Sequence, residues 1–124
     1  MTESEVLEQL NLFADNAMNA WAIYLTLTFS YLTAFYVTGA QLSKLQASII
    51  SFLYFFWSLS FTLVAITHIA SIEKLVSQFP DFIPSSLWQL PWFYIGTVIS
   101  IGGILASFYF AYDTRKNVGI AQNN

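Results

Sequence analysis

Three long stretches without any charged residue constrain the fold of this chain more than any other feature of its sequence. They lie between Asp15 and Lys44, between Lys44 and Glu73, and between Asp81 and Asp113. A helix needs roughly 20 apolar residues to cross the hydrocarbon core of a bilayer, and each stretch is long enough. The sequence therefore predicts three transmembrane helices, at about residues 17–39, 45–72 and 92–112.

The composition favours a membrane protein over a soluble one. Charged residues make up 9% of the 124 residues and hydrophobic residues make up 56%, whereas soluble domains carry about 25% charged residues. A soluble protein with three buried helices would need polar elements to cover them, and this chain has almost none. The predicted fold class is all-α: an integral membrane bundle of three transmembrane helices, forming a single domain over residues 1–124.

Charge and residue types argue against several classes of function. The net charge of −3 predicts no basic patch for nucleic acid or for anionic lipid headgroups, and the absence of cysteine excludes thiolate metal sites. The sequence contains no motif of a metalloprotease, a serine hydrolase or a phosphate-binding loop, and no ionisable residue near the middle of a span, where a coupled transporter would carry one. We therefore predict no enzymatic activity, no cofactor and no nucleic-acid partner, with the lipid bilayer as the first partner.

The distribution of basic residues predicts the orientation. Lys44 lies in the link between the first two spans, and Arg115 and Lys116 follow the third, whereas Lys74 alone lies in the second link. Basic residues near spans are retained in the cytoplasm. The prediction is a multi-pass protein of a bacterial-type inner membrane, with its N-terminus outside and its C-terminus in the cytoplasm.

The segment at residues 3–15 has the pattern of a short amphipathic helix. Thr2 and Glu5 have the spacing of a capping box, which marks the start of a helix. An apolar face follows, opposite a polar one, as in helices that lie at a membrane surface. This face consists of Val6, Leu7, Leu10 and Phe13.

His68, the only histidine, is predicted to be an interfacial residue. It lies about ten residues beyond the middle of the second span, or roughly 15 Å, at the edge of a hydrocarbon core about 30 Å thick. The nearest acid, Glu73, projects about 140° away around the helix, so the two do not form a metal site. We group His68 with Trp88 and Trp92, which are spaced as aromatic anchors at a membrane surface.

Small residues on the third span form the best-organised pattern in the sequence. Gly96, Ser100, Gly103 and Ser107 are separated by four, three and four residues and therefore share one helix face. Such a face allows two helix backbones to approach closely. It fits either internal packing of one bundle or self-association. Similar spacings occur at Ala47, Ser51, Ser58, Thr62 and Ala65 of the second span, and at Thr26, Ser30 and Thr33 of the first.

No motif assigns the chain to a named family. The order of three spans, with the N-terminus outside and a short charged cytoplasmic tail, is similar to that of one class of phage holins, and the resemblance is one of topology. It implies assembly into a membrane lesion.

We predict a small non-enzymatic membrane protein that works by assembly, as an accessory subunit or a homo-oligomer, binding itself or another membrane protein. A holin-like pore former and a cofactor-binding redox subunit are the two alternatives.

Overall fold

Three long helices make up the regular structure. The structure, a computed structural model, describes residues 1–83 and 90–123, with side chains as far as Asn117. Within these residues every regular element is an α-helix: α1 (Glu3–Thr38), α2 (Lys44–Gln78) and α3 (Trp92–Asn123). All three are long and apolar enough to cross a membrane. The prediction of an all-helical chain with three helices of spanning length is thereby confirmed.

Helix α1 is continuous where a separate surface helix was expected. Residues 3–15 run without a break into the first span, giving one helix of 36 residues, or about 54 Å at helical rise. No glycine or proline occurs between Glu3 and Thr38, so nothing in this segment breaks the helix. The predicted capping box is present, because Thr2 Oγ1 accepts from the Glu5 N–H and the Glu5 carboxylate accepts from the Thr2 N–H.

The apolar face at the start of α1 packs largely against the end of α2. Val6 is fully buried in a cluster with Leu75. Leu10 and Phe13 are half-buried and pack on the same cluster, whereas Leu7 is 39% exposed. The sequence predicted the amphipathic pattern of this segment, but it did not show that protein would cover most of the apolar face.

Helix α2 is longer than its predicted span, and a residue near its end contacts the first turn of α3. It begins after Ser43, which forms a second capping box with Gln46, and it continues to Gln78. The Glu73 carboxylate accepts a hydrogen bond from the Phe93 N–H at 3.3 Å, in the first turn of α3. The end of α2 and the part of α1 packed on it therefore extend beyond the level at which α3 begins.

The core of the bundle is aromatic, and its outer surface is apolar. The main buried cluster consists of Tyr24, Tyr31, Phe35, Ala47, Tyr54, Ile104 and Ala111. Large apolar side chains cover the outside of all three helices, for example Met18 at 71% exposure, Phe52 at 66% and Val98 at 70%. Residues 52–57 of α2, the aromatic segment "FLYFFW", are accordingly exposed on the outer surface, except for the buried Tyr54.

Candidate functional site

The small-residue face of α3 lies inside the chain. Gly96 and Ser100 are both buried, and Ser100 is 1% exposed. A Cβ atom built on Gly96 would lie 3.2 Å from Trp21 Cζ2 of α1 and 3.7 Å from Ile69 Cδ1 of α2. The structure therefore places this face against the other two helices of the same molecule.

Gly103 of α3 lies in close contact with the Tyr24 side chain of α1. The Tyr24 hydroxyl lies directly over Gly103, so close that a Cβ atom there would collide with Tyr24 Oη. The same hydroxyl donates to the Ser100 carbonyl oxygen at 2.9 Å. Glycine at position 103 leaves room for the Tyr24 hydroxyl, whereas a Cβ atom there would force this hydroxyl to shift.

Tyr54 of α2 connects all three helices through its hydroxyl. Its Oη lies 3.0 Å from Thr28 Oγ1 of α1 and 3.2 Å from Ser107 Oγ of α3. Ser107 donates its own hydrogen to the Gly103 carbonyl at 2.7 Å, so Tyr54 is the donor to Ser107. Thr28 donates either to Tyr54 or to the Tyr24 carbonyl, which is 2.9 Å away.

Aromatic rings pack around the contacts that the Tyr54 hydroxyl makes. The Tyr31 and Tyr54 rings are nearly parallel, with centroids 4.1 Å apart and an interplanar angle of 11°. Phe108 of α3 meets both rings edge-on at 6.0 and 5.9 Å. The Tyr31 hydroxyl pairs with Ser51 Oγ at 2.9 Å. We call Tyr24, Tyr31 and Tyr54 the tyrosine cluster; together with α3 it sets the relative register of the helices.

Two buried hydroxyls continue the inner face of α2 beyond Tyr54. Ser58 is 0% exposed and Thr62 is 4% exposed. Within the described residues, neither Ser58 Oγ nor Thr62 Oγ1 has a hydrogen-bond partner. An unsatisfied buried polar group costs about 1–3 kcal/mol, so these positions reduce the stability of the bundle.

Replacing Thr62 with valine is expected to raise the free energy of unfolding by about 1 kcal/mol, because the shape is kept and an unsatisfied hydroxyl is removed. The matched control is Thr28→Val, which removes a hydroxyl that contacts Tyr54 and should lower stability. Both are measured by titrating the detergent-solubilised chain with a denaturing detergent and following its helical circular dichroism. A destabilised Thr62→Val variant would show that the Thr62 hydroxyl is bonded in the folded protein.

The predicted interfacial residues lie apart from the tyrosine cluster. His68 is half-buried, its Nδ1 lies 2.8 Å from the Val64 carbonyl oxygen, and its ring is 6.2 Å from the Phe13 ring. Trp92 is the first residue of α3 and is 38% exposed. Trp88 lies outside the described residues. Across the part of the chain that the structure describes, no group of three or more acidic or histidine side chains could hold a metal ion.

The site joins helices through hydroxyls and rings. Tyr24 and Tyr31 were not identified from the sequence, although Tyr24, Thr28 and Tyr31 follow the i, i+4, i+7 spacing of one helix face. Combining that face with the small residues of α3 would have indicated the contact. The arrangement offers neighbouring hydroxyls and closely packed aromatic rings, so its chemical role is to hold three helices together.

Comparison with known proteins gives no match to a family model, to a curated sequence or to a solved structure.

Proposed function

We propose that this chain is a non-enzymatic integral membrane protein that works by assembly, as a homo-oligomer or as a subunit beside another membrane protein. Its outer surface supports membrane insertion, since side chains such as Phe29, Phe52 and Val98 are 66–70% exposed, and soluble monomers rarely expose large contiguous apolar patches. The distribution of basic residues supports an inner-membrane location with the N-terminus outside.

The observation that carries the assembly proposal is a stripe of small and polar residues on the outside of α1. These residues are all exposed, and their spacing of three or four places them on one helix face. We call them the α1 outer stripe: Asn19, Ala22, Thr26, Ser30 and Thr33. This face lies opposite the buried Tyr24 and Tyr31, so it takes no part in the packing of the bundle.

The hydroxyl groups of the α1 outer stripe leave a surface suited to another helix. Thr26 Oγ1 donates to the Ala22 carbonyl and Ser30 Oγ donates to the Thr26 carbonyl, each at 2.8 Å. With these hydrogens directed to its own backbone, the helix presents a flat face that a second backbone can approach closely. Lipid chains gain little from such a face, whereas a packed helix gains van der Waals contact.

Placing leucine at both Thr26 and Ser30 is expected to weaken self-association about tenfold or more, because bulky side chains separate the backbones. The measurement is the mass of the protein by light scattering in a mild detergent across a range of protein concentrations, with circular dichroism to confirm that the chain stays helical. The control is Ala106→Leu, which introduces one leucine at an exposed position of α3.

If Ala106→Leu reduces the mass and the α1 double variant does not, the interface lies on α3 instead. A monomeric wild-type chain would rule out the homo-oligomer. The subunit hypothesis would then be tested by photo-crosslinking from Ser30 in native membranes, with a crosslinker at position 106 as the control.

The holin-like pore former and the redox subunit, the two alternatives from the sequence, predict different experimental results. A holin-like protein should release dye from lipid vesicles and be toxic when expressed, whereas an accessory subunit should do neither. A cofactor-binding redox subunit should show a visible absorbance spectrum when it is purified from cells.

A further inference from the structure

Three of the four basic residues of the chain lie around one groove. Lys44 at the start of α2 and Arg115 and Lys116 near the end of α3 all line it. One acid, Asp113, lies near this end of the sequence of α3, and its carboxylate accepts a hydrogen bond from Asn117 at 3.1 Å. The groove therefore carries an excess of positive charge although the net charge of the chain is −3. The net charge predicted no basic patch for anionic headgroups, because it does not show that the fold gathers three of the four basic residues at one place.

The floor of the groove is largely apolar, and its mouth is cationic. It lies between α2 and α3 with α1 behind it, and has a volume of about 650 Å³. Its apolar lining comes from Phe35 of α1, Ala47 of α2, and Phe108 and Ala111 of α3. The distance from Lys44 to the deeper lining residues is about two helical turns, or roughly 10 Å. Its size falls in the range of sites that bind small molecules.

The fold holds Arg115 at the mouth of the groove, near the N-terminal end of α2. Arg115 Nη2 donates to the Leu42 carbonyl at 3.2 Å, which fixes the guanidinium beside the link between α1 and α2. That bond uses one of the five N–H donors of arginine. The N-terminal end of α2, where Lys44 is the first helical residue, adds the partial positive charge of a helix dipole.

We propose that this groove binds an anionic phospholipid, with the headgroup phosphate between Lys44, Arg115 and Lys116 and an acyl chain along the apolar floor. A zwitterionic lipid such as phosphatidylcholine has the same phosphate, but its cationic choline group offsets that charge, so it would gain less from the three cations. A soluble anion would gain nothing from the floor. Basic pockets between transmembrane helices on the cytoplasmic side bind anionic headgroups, and the distribution of basic residues assigns this end to the cytoplasm. The proposal depends on membrane insertion and not on self-association.

The test is a lipid titration of the full-length chain in a neutral detergent, with bound lipid counted by native mass spectrometry. Phosphatidylglycerol should bind more tightly than phosphatidylcholine. The double variant Lys44→Gln, Lys116→Gln should weaken phosphatidylglycerol binding about 25-fold, at about fivefold for each lysine. The matched control is Lys74→Gln, which removes the same charge away from the groove and should bind as the wild type does.

A second variant tests the apolar floor without changing the charge. Ser48 lines the groove and is exposed, so Ser48→Trp should fill the groove without disturbing the core and should reduce phosphatidylglycerol binding. Glycerol 3-phosphate, which has no acyl chain, should bind far more weakly than the lipid. The proposal is overturned if the lysine double variant binds lipid like Lys74→Gln, or if phosphatidylcholine or glycerol 3-phosphate binds as tightly as phosphatidylglycerol. Because lipid is counted per chain, loss of self-association alone would not alter these outcomes.

Discussion

Replacing Tyr54 with alanine is expected to lower the free energy of unfolding by about 3–5 kcal/mol, the cost of removing a large aromatic side chain from a packed core. Tyr54 is 5% exposed, stacks on Tyr31 at 4.1 Å and contacts α1 and α3 through its hydroxyl. Without it, all three helices lose a shared contact. The measurement is unfolding of the detergent-solubilised chain in a denaturing detergent, followed by circular dichroism.

Two further variants separate the ring of Tyr54 from its hydroxyl. Tyr54→Phe keeps the ring and removes two hydroxyl contacts, and it should cost about 1 kcal/mol, since hydrogen bonds between transmembrane helices average about 0.6 kcal/mol. Tyr109→Ala removes the same side chain from a position that is 71% exposed and should have little effect. If Tyr109→Ala destabilises the chain as much as Tyr54→Ala, the tyrosine cluster is not the centre of the bundle.

Replacing Gly103 with leucine is expected to cost about 2–4 kcal/mol. Overpacking contributes about 1–3 kcal/mol, and loss of the bond from Tyr24 to the Ser100 carbonyl contributes about 0.6 kcal/mol more. Because Gly103 faces Tyr24 of the same chain, stability should fall without a change in oligomer mass. Unfolding in denaturing detergent and light scattering measure the two quantities on the same samples.

The neighbouring glycine provides a close control for this substitution. A Cβ atom on Gly102 meets nothing within 4 Å, so Gly102→Leu should leave the stability of the bundle unchanged. A second comparison uses Gly103→Ala, whose methyl group collides with Tyr24 Oη. Adding Tyr24→Phe removes that oxygen and should recover part of the lost stability, a non-additivity expected for residues in contact. Strict additivity of the two changes would contradict the close approach of Tyr24 and Gly103.

If both results hold, the small residues of α3 belong to the folding of one chain, and assembly depends on another surface. The best-organised pattern in the sequence would then be an internal contact. The α1 outer stripe has a less regular pattern of small residues than α3. It would be the surface available to a partner, because the structure leaves it exposed.

The sequence determined those features that depend on neighbouring residues. Uncharged runs predicted three helices of spanning length, because a charge is costly to bury in hydrocarbon. The capping box of Thr2 and Glu5 was predictable because its atoms lie three residues apart. The small-residue face of α3 was also visible, since helical periodicity alone brings Gly96, Ser100 and Gly103 to one side.

Only the tertiary structure decided what each face contacts. Tyr24 and Ser100 are 76 positions apart in the sequence, and no local pattern specifies which helix packs on which or in what register. The same holds for residues 3–15, whose apolar pattern fits a membrane surface and a protein surface equally well. Helical periodicity defines a face from short-range geometry. Which surface that face contacts depends on the packing of all three helices at once. In this chain that packing buries the small-residue face of α3 and leaves the α1 outer stripe exposed.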